Sequence, residues 1–413
     1  AGTEWDALAE SENACYRFGY ICPSGEQTAV TVTAAWGICN KIISFNDDLF
    51  FIFLNRIAYL DNGAGALIDL YNFAGDTFHD AELWGSQLRG SLQCTHGGAD
   101  IHFFVSIAVG APYTVISPTP ALPAGTGATA LTPQVSIMGT VFWEYQGVAA
   151  YRLLGKTAPE QIRWMITPTG DPYLPANWGT AVSIGPTTDA IQEIVTSHTT
   201  AWILKNDGCY AVKDSTASAG GENLSPYWQQ EIVPGGVNGK YWLGKLIVYR
   251  GNRLEAIDVN SWQVQDKPRP VSIEFGRPNN TALNALYYTA LGSDNGWLVA
   301  GMKNTADIAY VLYGTERPRE SVAAGVTEYD WFAEVGPFAG AQITYLYVDT
   351  PDDGTPNGGR PTLWIAYDQA GSKLMRVDLF RGGSPLADSG HRYNIASSVT
   401  FTDEHFAARA AIK

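Results

Sequence analysis

One phrase recurs along this chain. Asp48-Leu49-Phe50-Phe51-Ile52-Phe53-Leu54 runs into Asn55-Arg56-Ile57-Ala58-Tyr59-Leu60-Asp61. Lys245-Leu246-Ile247-Val248-Tyr249 is followed by Gly251-Asn252-Arg253-Leu254-Glu255-Ala256-Ile257-Asp258, and Thr362-Leu363-Trp364-Ile365-Ala366-Tyr367 by Gly371-Ser372-Lys373-Leu374-Met375-Arg376-Val377-Asp378. Each copy is an apolar run, a polar turn, a basic residue and an apolar segment closing on Asp. That pattern predicts two antiparallel strands joined by a tight hairpin.

Weaker copies fill the intervals. Trp202-Ile203-Leu204 turns at Asn206–Gly208 into Cys209-Tyr210-Ala211-Val212, and Trp297-Leu298-Val299 turns near Lys303 and Asn304 into Ile308–Leu312. Val141-Phe142-Trp143-Glu144-Tyr145 turns at Gln146-Gly147, and a degenerate copy lies at Asp100–Ile107. Recurrence at roughly 40 to 65 residues is the spacing of four-stranded blades with variable loops. The predicted fold is therefore an all-β propeller of seven four-stranded blades, with long inter-blade loops and an N-terminal arm. Hairpin turns are expected at Asn55, Gln146-Gly147, Asn206–Gly208, Gly251-Asn252 and Ala370–Ser372.

Composition fits. Among 413 residues there are 43 Gly and 22 Pro, which punctuate the apolar runs, and only 16% are charged. The 13 Trp, 21 Tyr and 16 Phe suit packed sheet faces. The predicted organisation is an arm over 1–28, a propeller over 29–391, and a C-terminal strand or extension over 392–413. Thr3 and Asp6, with Trp5, Leu8 and Ala9, read as a short capped helix in the arm. The alternation in 392–413 stops mid-pattern at Lys413, as if a further segment followed.

The net charge of −15, with no Lys/Arg-rich segment, argues against a nucleic-acid partner. No run approaches the roughly 18 apolar residues of a membrane-spanning helix. The N-terminus shows neither a basic nor an apolar targeting region. Of the five cysteines, Cys94 and Cys209 sit in strand-like segments and Cys39 has no C-x-x-C partner. Cys15 and Cys22 are close enough for a small disulfide loop, but spacing alone leaves their state open.

Candidate chemistry is sparse. Glycoside cleavage needs two carboxyl groups a few ångströms apart. Asp47, Asp48, Glu144 and Asp294 are candidates, although Asn46-Asp47-Asp48 and Ser293-Asp294-Asn295-Gly296 also read as turns. Asp349, Asp352, Asp353 and Asn357 gather oxygen ligands for a metal, for which Ca²⁺ is the fitting ion, but without the spacing of an EF-hand. No other cofactor is implied. The recurring Asp61, Asp258 and Asp378 read as structural acceptors near blade turns. The 110–135 insertion, rich in Pro, Ala, Gly and Thr, carries Tyr113, Val115, Ile116, Leu122 and Leu131 with almost no charge, which predicts contact with a partner.

The blades lack the Gly-His and Trp-Asp of WD repeats, and the Gly-Gly pairs are out of phase for kelch repeats. The phrase ending Arg253-Leu254-Glu255-Ala256-Ile257-Asp258, with Ile395-Ala396-Ser397-Ser398-Val399-Thr400-Phe401 after it, resembles the divergent propellers of tailed-bacteriophage and prophage structural proteins. The resemblance implies a non-enzymatic virion component of tail, baseplate or capsid surface. Such a component is assembled in the host cytoplasm, with other structural proteins as partners. The alternative is a carbohydrate-binding or glycoside-hydrolysing propeller, with Trp143, Trp178, Tyr227 and Trp228 stacked on sugar faces.

Overall fold

A computed structural model describes residues 8–12, 14–17, 20–23, 27–33, 36–46, 48–60, 66–72, 77–84, 91–97, 102–108, 113–116, 135–170, 172, 175–197, 199–213, 225–229, 235–242, 244–250, 253–258, 269–271, 287–294, 297–303, 307–316, 329–349, 361–379 and 398–401. No α-helix occurs among them, and none is long and apolar enough to cross a membrane. The chain divides into two compact units, one of residues 32–269 and one of 1–31 with 270–413.

The N-terminal segment contributes four strands to its unit: β1 (Leu8–Glu12), β2 (Ala14–Arg17), β3 (Tyr20–Pro23) and β4 (Gln27–Val30). Leu8 and Ala9, assigned to a short helix, lie on β1; residues 1–7 are outside the described set. Cross-strand pairing supplies more backbone partners here than one helical turn would.

Between Cys39 and Val271 lie five sheets, each made of four strands consecutive in the chain. The first comprises β5 (Cys39–Phe45), β6 (Asp48–Phe53), β7 (Arg56–Leu60) and β8 (Leu67–Asn72). The second comprises β9 (Thr77–Trp84), β10 (Ser91–Gly97), β11 (His102–Ala108) and β12 (Thr114–Ile116). The third is β13 (Met138–Tyr145), β14 (Val148–Ala158), β15 (Gln161–Trp164) and β16 (Val182–Ser183). The fourth is β17 (Ile191–Thr196), β18 (Thr200–Lys205), β19 (Gly208–Lys213) and β20 (Ser225–Gln229). The fifth is β21 (Gly235–Trp242), β22 (Lys245–Arg250), β23 (Arg253–Asp258) and β24 (Arg269–Val271).

The other unit departs from that form. Strands β25 (Tyr287–Asp294), β26 (Trp297–Lys303), β27 (Ile308–Glu316) and β28 (Tyr329–Ala339) are widened by β2 and β3 into a six-stranded sheet. Strands β29 (Gln342–Asp349), β30 (Thr362–Asp368) and β31 (Ser372–Asp378) take β4 as their fourth member. Finally, β32 (Ser398–Phe401) pairs with β1. The expectation of seven four-stranded blades is thus corrected to five blades, each of four successive strands. The periodic phrase marks only the central hairpin of a sheet and carries no information about where its outer strand comes from.

The turns follow local chemistry. Gln146 and Gly147 both have positive φ, 51° and 78°, the conformation that a two-residue hairpin needs to match the twist of its strands. In the three-residue turn between β30 and β31, Ala370 and Gly371 also have positive φ, at 51° and 123°. Gly251 and Asn252 lie outside the described residues, between strands whose Arg250 and Arg253 face each other.

The apolar runs are second strands buried on both faces. Every residue of β18 is buried, and its alternate side chains serve different neighbours. Ala201 and Ile203 join Val141, Leu154 and Ile162 of the third sheet, whereas Trp202 and Leu204 join Leu246, Val248 and Ile257 of the fifth. Strand period two thus explains why these runs are continuous rather than alternating. Phe50 and Ile52 of the first sheet pack with Phe78 and Ala81 of the second, and Val311 and Val335 pack with Leu346 and Ile365 in the other unit.

Candidate functional site

Within residues 32–269, the first strands of successive sheets lie against one another, and four of them bring charged side chains together. Lys41 of β5 places Nζ 2.8 Å from Asp80 Oδ1 and 3.8 Å from Glu82 Oε2, both on β9. Asp80 also accepts backbone hydrogen bonds, from Ala81 N–H at 2.8 Å and from Met138 N–H of β13 at 2.7 Å. Glu82 accepts from Leu83 N–H at 3.2 Å. Glu193 of β17 accepts from Gly239 N–H of β21 at 2.6 Å. Lys240, next in sequence, acts electrostatically on both Glu82 and Glu193.

Burial raises the two glutamates. The Glu82 carboxyl is pushed up by desolvation and by Asp80, with Lys41 pulling the other way. Glu193 is pushed up to about 7, chiefly by desolvation, against the Gly239 N–H, Lys240 and Lys41. The cluster therefore holds one carboxyl group, Glu193, that desolvation pushes up to about 7, and another, Asp80, whose oxygens are tied to Lys41 and two backbone N–H groups. It can act as a proton-exchanging polar tie between sheets. Among the described residues, no group of three or more His, Cys, Asp or Glu is placed to hold a metal ion.

The close approach depends on small residues. A Cβ on Gly239 would sit 2.4 Å from Leu204 Cδ1 and 2.9 Å from Val195 Cγ2, distances that real side chains do not tolerate. The absence of a side chain at that position lets β21 come near enough for its N–H to reach Glu193.

The residues singled out from sequence are dispersed. Asp48 accepts the phenolic hydrogen of Tyr113, and Glu144 is exposed beside the β13–β14 turn. Asp294 ends β25, and Asp47 lies outside the described residues. Asp349 ends β29, while Asp352, Asp353 and Asn357 are outside the described set. Tyr113, expected at a partner contact, is instead buried: its ring packs edge-on against Phe50 and Tyr59, with Phe45 alongside. Its aromatic ring gains more from that core than from solvent. Val115 and Ile116 lie on β12, paired with Ile107 and Ser106, and Leu122 and Leu131 are outside the described residues.

Trp143 and Trp178, expected to stack on sugars, are also buried, and their indole N–H groups donate to Thr199 O and Pro172 O. Tyr227 and Trp228 lie on β20. The recurring Asp258 and Asp378 do not sit by the hairpin turns. Register places them opposite Lys245 and Thr362, at the far ends of their strand pairs. Asp61 is outside the described residues.

Sequence reasoning missed the first-strand cluster and two further buried cations. Arg152 donates to the carbonyls of Trp143, Val148, Met165 and Ile166, and Lys205 to those of Ile184 and Pro186. The available signal was charged residues within strand segments, such as Asp80-Ala81-Glu82 and, at the end of an apolar run, Lys205.

No family model and no curated protein matches the chain. Solved structures do resemble it. The β-propeller domain of Cps50 (Swd1) from Myceliophteria thermophila aligns with a TM-score of 0.51 at 10% identity, over 86% of this chain and 99% of that one. YCF48 from Cyanidioschyzon merolae aligns at 0.50 and 11%, over 85% and 98%. At such identities the likeness concerns the fold alone. The chain is an all-β propeller.

Proposed function

We propose that this propeller is a non-enzymatic interaction module held in a larger assembly. By its resemblance to bacteriophage structural propellers, that assembly is a virion, with the chain in its tail, baseplate or capsid surface. The observation that carries the reading is the β13–β14 hairpin. Val148 and Tyr151 are 52% and 47% exposed, and with Leu83 they are the large apolar side chains left open to solvent among the described residues. Three positions apart on β14, Val148 and Tyr151 point to opposite faces of the sheet, and Phe142 braces Tyr151 edge-on at 5.2 Å. A hairpin that exposes an apolar side chain on each face, on an otherwise acidic chain, suits docking to another protein that grips its tip.

The test is incorporation. Val148→Glu and Tyr151→Glu, each on an exposed position, should leave the melting temperature near that of the parent while the chain fails to enter particles in a complementation assay. Normal incorporation of both variants sinks the reading.

A second reading, glycoside hydrolysis, is favoured by one observation: desolvation pushes the Glu193 carboxyl up to about 7, and Asp80 adds to that rise. Such chemistry pairs a protonated carboxyl with an ionised one. Turnover of a glycan by the parent chain that disappears in Glu193→Gln would establish it in place of the first.

A further inference from the structure

We propose that Cys15 and Cys22 are the two halves of a disulfide that staples the N-terminal hairpin under oxidising conditions. In the β2–β3 pair the register runs Ala14 to Pro23, Cys15 to Cys22, Tyr16 to Ile21 and Arg17 to Tyr20. The two cysteines are therefore direct cross-strand partners on one face of the sheet. Directly opposed residues in an antiparallel pair have Cα atoms ~4.5 or ~5.5 Å apart, according to the pair type. Both separations fall inside the ~4.4–6.8 Å range of disulfides.

No other cysteine meets a cysteine across the described strands. Cys39 faces Phe53, Cys94 lies between Ala81 and Val105, and Cys209 between Leu204 and Trp228. Burial raises the Cys39 thiol to about 12 and the Cys209 thiol higher still, which suppresses the reactive thiolate.

The position gives the bond a purpose. β2 touches the sheet through Cys15, opposite Ala333 of β28, and β3 is the outermost strand, held by β2 alone. A covalent link at Cys15 ties the edge strand to the residue that anchors the hairpin. A low-molecular-weight disulfide serves as oxidant. One cysteine thiolate attacks a sulfur of that reagent, forming a mixed disulfide and expelling a thiolate. The second cysteine thiolate then attacks the protein sulfur and expels the other half. Two protons and two electrons leave the protein, and the reagent is reduced to two thiols.

The experiment uses the full chain equilibrated in oxidised and in reduced glutathione, then alkylated and mapped by non-reducing peptide mass spectrometry. The oxidised sample should yield a peptide linked between Cys15 and Cys22, ~2 Da below the sum of its parts, while Cys39, Cys94 and Cys209 are alkylated after denaturation. Amide exchange across residues 14–23 should slow on oxidation and be restored by reduction. Alkylation of both Cys15 and Cys22 in the oxidised sample overturns the proposal, as does a link from either to another cysteine or another chain.

Discussion

Glu193 accepts a 2.6 Å hydrogen bond from the backbone N–H of Gly239, so a carboxyl group on β17 is a direct tie to β21. The same role is played between β9 and β13 by Asp80, which takes the N–H of Met138. Neighbouring sheets are thus joined by polar contacts from side chain to backbone as well as by the apolar layers between them.

Ionising Glu193 opposes folding. Its value of about 7 in the folded chain lies above the ordinary 4.5, so between those values the folded state binds more protons than the unfolded one. The contribution is fully favourable below about 4.5 and is lost as pH rises through 7. Urea unfolding of the parent and of Glu193→Gln at pH 5 and pH 8 should show the parent losing ground to the variant at the higher pH. A difference between the two proteins that does not vary with pH would contradict this.

Gly239→Val forces a side chain into Leu204 and Val195. Overpacking of this kind costs about 1–3 kcal/mol, and displacing β21 also weakens the hydrogen bond to Glu193. The denaturation midpoint should drop accordingly; an unchanged midpoint would mean that the sheets separate without penalty.

Asp80→Ala leaves Lys41 Nζ and Met138 N–H without their shared acceptor. Loss of a largely buried charged partner should destabilise by roughly 2–4 kcal/mol. The Lys41→Met/Asp80→Ala double variant should recover part of the loss, because the ammonium that has lost its 2.8 Å partner is removed as well. Strict additivity in the thermodynamic cycle would show that the pair is not coupled.

Tyr113→Phe removes the hydroxyl that donates to Asp48 while keeping the aromatic packing. The expected loss is about 1 kcal/mol, with particle incorporation unaffected. Failed incorporation at unchanged stability would restore Tyr113 to the partner contact that its burial argues against.

The central hairpins were legible because period-two burial and turn chemistry are local. Phe50 to Phe53, Trp202 to Leu204 and Leu363 to Tyr367 are buried on both faces, and the sequence displays them as unbroken apolar runs. Gln146-Gly147 declares its turn by residue type. What was not legible is non-local. Gln27–Val30 carry no mark of the strand they join some hundreds of positions later, and Lys41, Asp80, Glu82, Glu193 and Lys240 lie scattered in sequence until the sheets are stacked. Tyr113 belongs by composition to a sparsely charged insertion, and only its distance from Phe50 and Tyr59 reveals it as core.

The pairing of β4 with β31 sets Gln27 opposite Val377 and Val30 opposite Leu374. A ribosome delivers β4 before the five sheets of successive strands and β31 after them, so the earlier strand waits for its partner while all five are made. Its sheet completes late, and joining ends so distant in sequence is entropically slow. Until then β31 and β4 each present an open edge able to recruit a foreign strand. Misassembly during biosynthesis should accordingly begin at this seam, earlier than at any of the five sheets whose strands emerge in order.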